Sequence, residues 1–289
     1  MPPRAFRIAY DGTGYRGFQR QPDASTVEGA IFDALRSLDV YEPGAGDGPD
    51  RPAGYAAAGR TDAGVSALAQ TIGLEAPEWL TPRALNAELP ADVRAWATAA
   101  APASFHATHD ATRREYAYHL YAPPADRDGT RGGSVDPDAR IDDDRFRAAC
   151  DALSGPHDFH NLTPDDRNTE REPTIEATRD GDYLVVTVAA GGFARELVRR
   201  LVSLATAVGA GDEPVEKIDR ALAPDPLPGH EGIAPAPPNP LVLTDVAYPL
   251  LEFAVDERAA ESARTVFDRR RIDRRTGARV TGQLADGID

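Results

Sequence analysis

Residues 8–23 read IAYDGTGYRGFQRQPD, an apolar run followed at once by Gly12-x-Gly14-x-x-Gly17. That spacing is the fingerprint of a dinucleotide-binding loop, and Asp33 and Asp39 stand near where a ribose-binding acid would follow. In such a fold the helix starts inside the glycine motif, so that its first amides meet the pyrophosphate. Here FQRQPDAS, residues 18–25, intervenes, and the first helix starts no earlier than Ser25, whose Ser25-x-x-Glu28 spacing suits a capping box. The loop therefore reads as a tight turn instead of a nucleotide cradle. Tyr15, Arg16, Phe18, Gln19 and Arg20 interleave rings with guanidinium and amide groups, as a nucleic-acid backbone contact would.

Periodicity organises the rest. Arg7–Tyr10 reads as a strand, and Val27, Ile31, Ala34, Leu35 and Leu38 form one stripe of a helix ending near Leu38. Gly/Pro/Asp-rich loops span about 41–54 and 123–134. REYAYHLY (114–121) alternates like a strand, DDDRFRAACDALSG (142–155) is a capped helix, and YLVVTVAA (183–190) is a β run. It leads through Gly191-Gly192 into a helix over FARELVRRLVSLATAVGAG, residues 193–211. A proline-rich loop precedes a last strand, LVLTDVAYPL (241–250), and a tail from about 256 starts helical and carries DRRRIDRR. Strand–helix units with hairpin-like pairs predict an α+β architecture.

Composition narrows the class. The 289 residues suffice for one large or two ordinary domains, with no apolar stretch of the ~20 residues a membrane span needs and no signal peptide, so a cytoplasmic protein is expected. One cysteine, Cys150, excludes an internal disulfide and a Cys-rich zinc site. Forty-seven acidic residues face 32 basic ones, of which Lys217 is the sole lysine. A net charge of −15 ordinarily argues against a nucleic-acid partner. An Asp-rich, almost Lys-free surface also fits life in molar salt, where self-repulsion is screened within a few Å. On that reading, net charge does not count against RNA.

AAAGRTDAGVSALAQ, residues 56–70, holds the sharper chemical signal. Asp62 stands between Gly59 and Gly64, two residues from Arg60. Glycines let a planar group approach the backbone, and an arginine keeps an acid ionised. An aspartate in a Gly-rich turn also serves simply to cap or bend the chain.

Five motifs in order resolve the ambiguity. YDGTGYRGFQRQ, AGRTDAGVSALAQ, LNAELPADVRAW with FHATHDATRREYAYHLY, GPHDFHNLT, and GGFARELVRRLV together make the chain resemble the TruA-type tRNA pseudouridine synthases from the first strand to about residue 250. The resemblance implies a pseudouridine synthase fold: two similar α/β halves sharing a mixed, mostly antiparallel sheet with a central cleft. It places an N-terminal catalytic half at 1–105, a second half at 106–255 and a charged extension at 256–289. It implies Asp62 as catalytic aspartate, Arg199 as the arginine pairing with it, Arg60 as the motif arginine and Tyr116 as the ring packing on the target uracil. Tyr15, Arg16, Gln19, Arg20 and Arg195 are expected to bind substrate. It further implies a tRNA partner, uridines at positions 38 to 40 of the anticodon stem-loop, a homodimer, and neither metal nor cofactor. Ser66, Glu115, Glu196 and Leu197 depart from the family pattern at positions bearing on RNA grip or packing. His157-x-x-His160 reads as structural or RNA-facing, and Cys150 as a buried small residue. Three rivals remain: a catalytically silent RNA-binding or RNA-folding protein of this fold, a glycosidase needing a second carboxylate near Asp62, and an oxidoreductase using the opening glycines.

Overall fold

The structure, a computed structural model, describes residues 1–44, 50–124 and 141–288. The chain divides into two compact units, Met1–Thr112 with Leu243–Asp289, and Arg113–Val242. The first runs β1 (Pro3–Tyr10), α1 (Val27–Ser37), β2 (Ala56–Ala57), β3 (Ser66–Glu75), α2 (Pro82–Glu88) and β4 (Val93–Ala100). The second runs β5 (Arg113–Tyr121), α3 (Asp143–Leu153), β6 (His157–Asp158), β7 (Glu170–Arg171), β8 (Thr174–Asp180), β9 (Tyr183–Ala190), α4 (Leu197–Ala210) and α5 (Glu216–Leu222). Strand β10 (Leu241–Ala247) returns the chain to the first unit, which ends with β11 (Ala254–Val255) and α6 (Glu257–Asp286).

In the first unit β1 lies between β3 and β4, antiparallel to both, with β2 on β3 and β11 on β4. Residues 5–10 of β1 are all buried, so both strand faces are covered. Arg7 tolerates this because its guanidinium donates to the carbonyls of Ala69 (3.1 Å) and Val246 (2.6 Å) and lies 4.4 Å over the Phe253 ring. In the second unit β9 lies between β5 and β8, again antiparallel. Cys150 and Leu153 of α3, Ile175 of β8, Val186 and Val188 of β9, and Leu201, Val202 and Ala205 of α4 meet as its apolar core. The α+β class and antiparallel strands agree with the sequence reading.

Several details differ from it. The N-cap of α1 is Thr26, whose Oγ accepts from the Gly29 amide at 3.2 Å, and Glu28 accepts from the Arg20 amide at 2.7 Å instead of closing a capping box on Ser25. Helix α4 starts at Leu197, four residues later than expected, because Glu196 adopts a left-handed φ of 60°. The first unit reaches Thr112 and takes back residues 243–255, which the sequence reading put in the second half. The tail is part of this unit as well: Asp256 caps α6, and Ala259, Ala260 and Ala263 are buried. Pairing of β11 with β4 delivers the chain there. Residues 45–49 of one expected loop and 125–134 of the other lie outside the described residues. No helix among the described residues is long and apolar enough to cross a membrane.

Candidate active site

Asp62 sits, partly exposed, at the head of a turn closed by the Val65 amide donating to the Asp62 carbonyl at 3.1 Å. Gly64 supplies the left-handed φ of +82° that the turn requires. The segment before it is fastened from below. Buried Gln70 donates to the Gly59 carbonyl at 2.9 Å, and the Tyr10 hydroxyl meets the Thr61 hydroxyl at 2.8 Å.

The Gly12–Gly17 loop is the other wall of this turn. The Phe18 amide donates to the Thr61 carbonyl (3.0 Å), the Gly64 amide to the Tyr15 carbonyl (3.2 Å), and the Gly12 amide to Ser66 Oγ (3.0 Å). A Cβ on Gly12 would lie 2.0 Å from the Val65 carbonyl oxygen, whereas one on Gly14 would meet nothing within 4 Å. The opening glycines therefore let two backbones touch. Ser66, a departure from the family pattern, is part of that contact.

Behind the loop is an acid network. Asp11 is 6% exposed; its carboxylate accepts from the Thr13 amide (3.2 Å) and hydroxyl (2.7 Å), from Arg270 (2.8 Å) and from Arg274 (2.6 Å). Burial pushes the Asp11 carboxyl up, and the bonds from Thr13 and Arg274 outweigh it, leaving it below the ordinary aspartate range. Asp92 accepts from the Tyr15 hydroxyl (2.7 Å) and from Arg270 (3.2 Å). Burial, then the bond to Asp92, pushes the Tyr15 hydroxyl well up.

In the second unit, Tyr116 on β5 is opposite Val188 and largely buried, its ring edge-on to Phe193 at 5.3 Å and 81°. The Arg114 guanidinium donates to the Gly191 carbonyl at 2.6 Å, fixing the turn that presents Phe193. Arg199 is buried in the first turn of α4, donating to the Ala236 carbonyl (3.0 Å) and to Glu196 (3.2 Å). Glu196 also accepts from Arg200 at 2.7 Å. The Tyr118 hydroxyl, on the same strand as Tyr116, is pushed up to about 12 by burial against the opposing Arg199 charge.

The expected residues thus fall into two groups. Asp62, Arg60, Tyr15, Arg16, Gln19 and Arg20 lie in the first unit; Tyr116, Arg195 and Arg199 in the second. Arg60, Arg16 and Gln19 are exposed. Tyr15 is largely buried, its hydroxyl tied to Asp92. Arg20 is held by Asp50 at 3.0 Å and lies over Phe32 at 5.2 Å. Arg195 precedes α4 instead of sharing a helix with Arg199, its amide bound to Asp165 at 2.8 Å and its carbonyl to Thr163 at 2.9 Å. Sequence reasoning passed over Asp11, Asp92 and Phe193, although Asp11 and Asp92 stand inside two of the quoted motifs.

A family model described as tRNA pseudouridine synthase matches residues 149–249. The chain is 60% identical over 283 residues to a "tRNA pseudouridine synthase A" of Natronomonas pharaonis, covering 98% of each protein. It is 58% identical over 285 residues to the protein of that name from Haloarcula marismortui, covering 99% of this chain and 100% of the relative. A third, from Halobacterium salinarum, is 54% identical over 286 residues, 99% of each. These are halophilic archaea, with which the Asp-rich, almost Lys-free composition agrees. Among solved structures, the archaeal box H/ACA sRNP Nop10–Cbf5 complex aligns with 71% of this chain and 44% of that chain at 15% identity and TM-score 0.34, a likeness too slight to assign anything.

Proposed function

We propose that this chain, which belongs to the tRNA pseudouridine synthase family and isomerises uridine to pseudouridine in tRNA, acts at positions 38 to 40 of the anticodon stem-loop with Asp62 as its nucleophile. The observation that carries the reading is the setting of Asp62. It is the acid of the GRTDAG turn, partly exposed on a backbone that Gly12, Phe18 and Gly64 hold from the side. A carboxylate on a fixed turn reaches a reacting atom without first paying to order itself.

Isomerisation breaks the uridine N1–C1′ bond, turns the base and forms C5–C1′, after which C5 loses its proton and N1 carries one in its place. The reaction is redox-neutral and consumes no second substrate. Asp62 acts as nucleophile toward the uracil C6 or the ribose; the glycal route, in which it would instead take a ribose proton, is the alternative. The family resemblance gives Arg199 as the arginine that pairs with this aspartate. Tyr116 stacks on the extruded uracil, replacing base stacking of ~1–3 kcal/mol. Arg60 and exposed Arg16 and Gln19 contact the RNA backbone, and the enzyme works as a cytoplasmic homodimer, a property that rests on the family resemblance.

Transcripts retaining a uridine at only one of positions 38, 39 or 40 test the target. Modification mapped by chemical labelling and primer extension at those positions supports it; modification confined to another arm of the tRNA contradicts it.

A further inference from the structure

The C-terminal helix lays two guanidiniums against the Asp11 and Asp92 carboxylates of the first unit. Arg270 and Arg274 are four residues apart, on the face of α6 that also buries Ala259 and Ala263. Arg270 forks, one nitrogen to Asp11 at 2.8 Å and the other to Asp92 at 3.2 Å. Arg274 reaches Asp11 at 2.6 Å and the Thr13 hydroxyl at 3.1 Å. From these carboxylates the contacts run directly to the turn bearing Asp62. Asp11 caps the turn at Gly12–Gly14, and its amide donates to the Asp92 carbonyl at 3.0 Å. Gly12 bonds Ser66, Tyr15 joins Asp92 to the Gly64 amide, and Phe18 bonds Thr61.

We infer that Arg270 and Arg274 are positioning residues for the reaction: α6 is a strap that locks the Gly12–Phe18 loop against residues 61–66 and so holds Asp62 in register. The inference rests on the reading of Asp62 as the catalytic acid. Asp11 is a nearly buried carboxylate with two cationic partners from one helix, Arg270 partly exposed and Arg274 exposed, so the acid is shielded from solvent more than its partners are. Removing both arginines leaves that acid unmatched, and the loop it caps relaxes toward water. A fork is needed because one group must span two carboxylates; a lysine ammonium is a point donor.

The test uses the full chain in molar potassium chloride, with R270A/R274A, the charge-retaining R270K/R274K, and Asp62→Asn in parallel. Two readouts are taken: kcat and KM for a tRNA transcript, and amide hydrogen exchange at Phe18, Gly64 and Val65. The strap predicts kcat down ~10- to 100-fold in the alanine pair with KM within about threefold, exchange at those amides faster by at least ~10-fold, and the lysine pair intermediate in both. If the alanine pair does not fold, the lysine pair decides. Wild-type exchange in folded variants overturns the inference, as does a rise in KM with kcat unchanged, which would make the arginines RNA contacts. Faster exchange with unchanged kcat overturns it too, and Asp62→Asn then shows whether the assignment of the catalytic acid has failed instead: if that variant keeps wild-type activity, it has.

Discussion

Gly12 stands against Val65 so closely that a methyl group on it would be 2.0 Å from the Val65 carbonyl oxygen. No rotamer change relieves a backbone contact of that kind, so Gly12→Ala must displace the turn carrying Asp62 or its own loop. Gly12→Ala is expected to fold and to lose at least ~100-fold in kcat, since misplacement by ~1 Å is costly to a positioned catalytic group. Gly14→Ala, with open space at that Cβ, should leave kcat within about twofold. Steady-state kinetics on a tRNA transcript checks both. Equal loss at both glycines would favour a motif that cradles a ligand.

The second unit yields a graded series. Tyr116→Phe keeps the ring against Phe193 and is expected to retain most tRNA affinity, while Tyr116→Leu loses stacking and weakens productive binding by ~1–3 kcal/mol. A fall in kcat for the phenylalanine variant would assign the hydroxyl to C5 proton removal. Arg199→Ala leaves Glu196 and the Ala236 carbonyl short of a donor and is expected to cost at least ~100-fold in activity; Arg199→Lys recovers little. Kinetics with circular dichroism as a folding control separates these effects.

Asp143 fixes α3 to β8. Its carboxylate accepts a short bond and a 3.1 Å bond from Arg179, with Arg147 at 3.1 Å. Hydrogen bonding from Arg179 outweighs burial and lowers the Asp143 carboxyl below its ordinary value. A depressed carboxylate contributes stability that is present above the unfolded pKa, near 4, and is lost as pH falls through the folded value. Asp143→Asn is therefore expected to cost about 1 kcal/mol at pH 7, with the gap to wild type closing below about pH 4. Denaturant melts across pH 3 to 7 check the sign; a gap that widens in acid contradicts it.

Cys150 is the single cysteine and is 2% exposed, its thiol pushed up to about 12 by burial and, less, by Asp151. At pH 8 the folded protein should release no titratable thiol to an aromatic disulfide reagent over an hour, and one per chain after denaturation. Rapid native labelling would mean that the core of α3, β8, β9 and α4 opens locally.

Local chemistry was legible wherever one segment settles it. The stripe of α1, the Asp142 cap of α3 and the β run at 183–190 needed only neighbours in sequence. The start of α4 was not, because its periodicity continues back through Phe193 while the break depends on the left-handed backbone of Glu196. Asp62 stands out in the sequence because its loop is a contiguous motif. Asp11 and Asp92 were quoted without a role, since their partners Arg270 and Arg274 lie up to 263 residues away on a helix whose charges look like an ordinary solvated face. The bond from Tyr15 to Asp92 was hidden for the same reason, because the two residues lie 77 positions apart.

The most direct measurement compares wild type with Asp62→Asn, an isosteric loss of the carboxylate, on one unmodified tRNA transcript in molar potassium chloride. Pseudouridine is mapped at single-nucleotide resolution, and tRNA binding is measured on the same samples. The expected result is product in the anticodon stem-loop with wild type, none with Asp62→Asn, and binding by both within about threefold. Product formed by Asp62→Asn at the wild-type rate would contradict the assignment, as would binding by both proteins with product from neither.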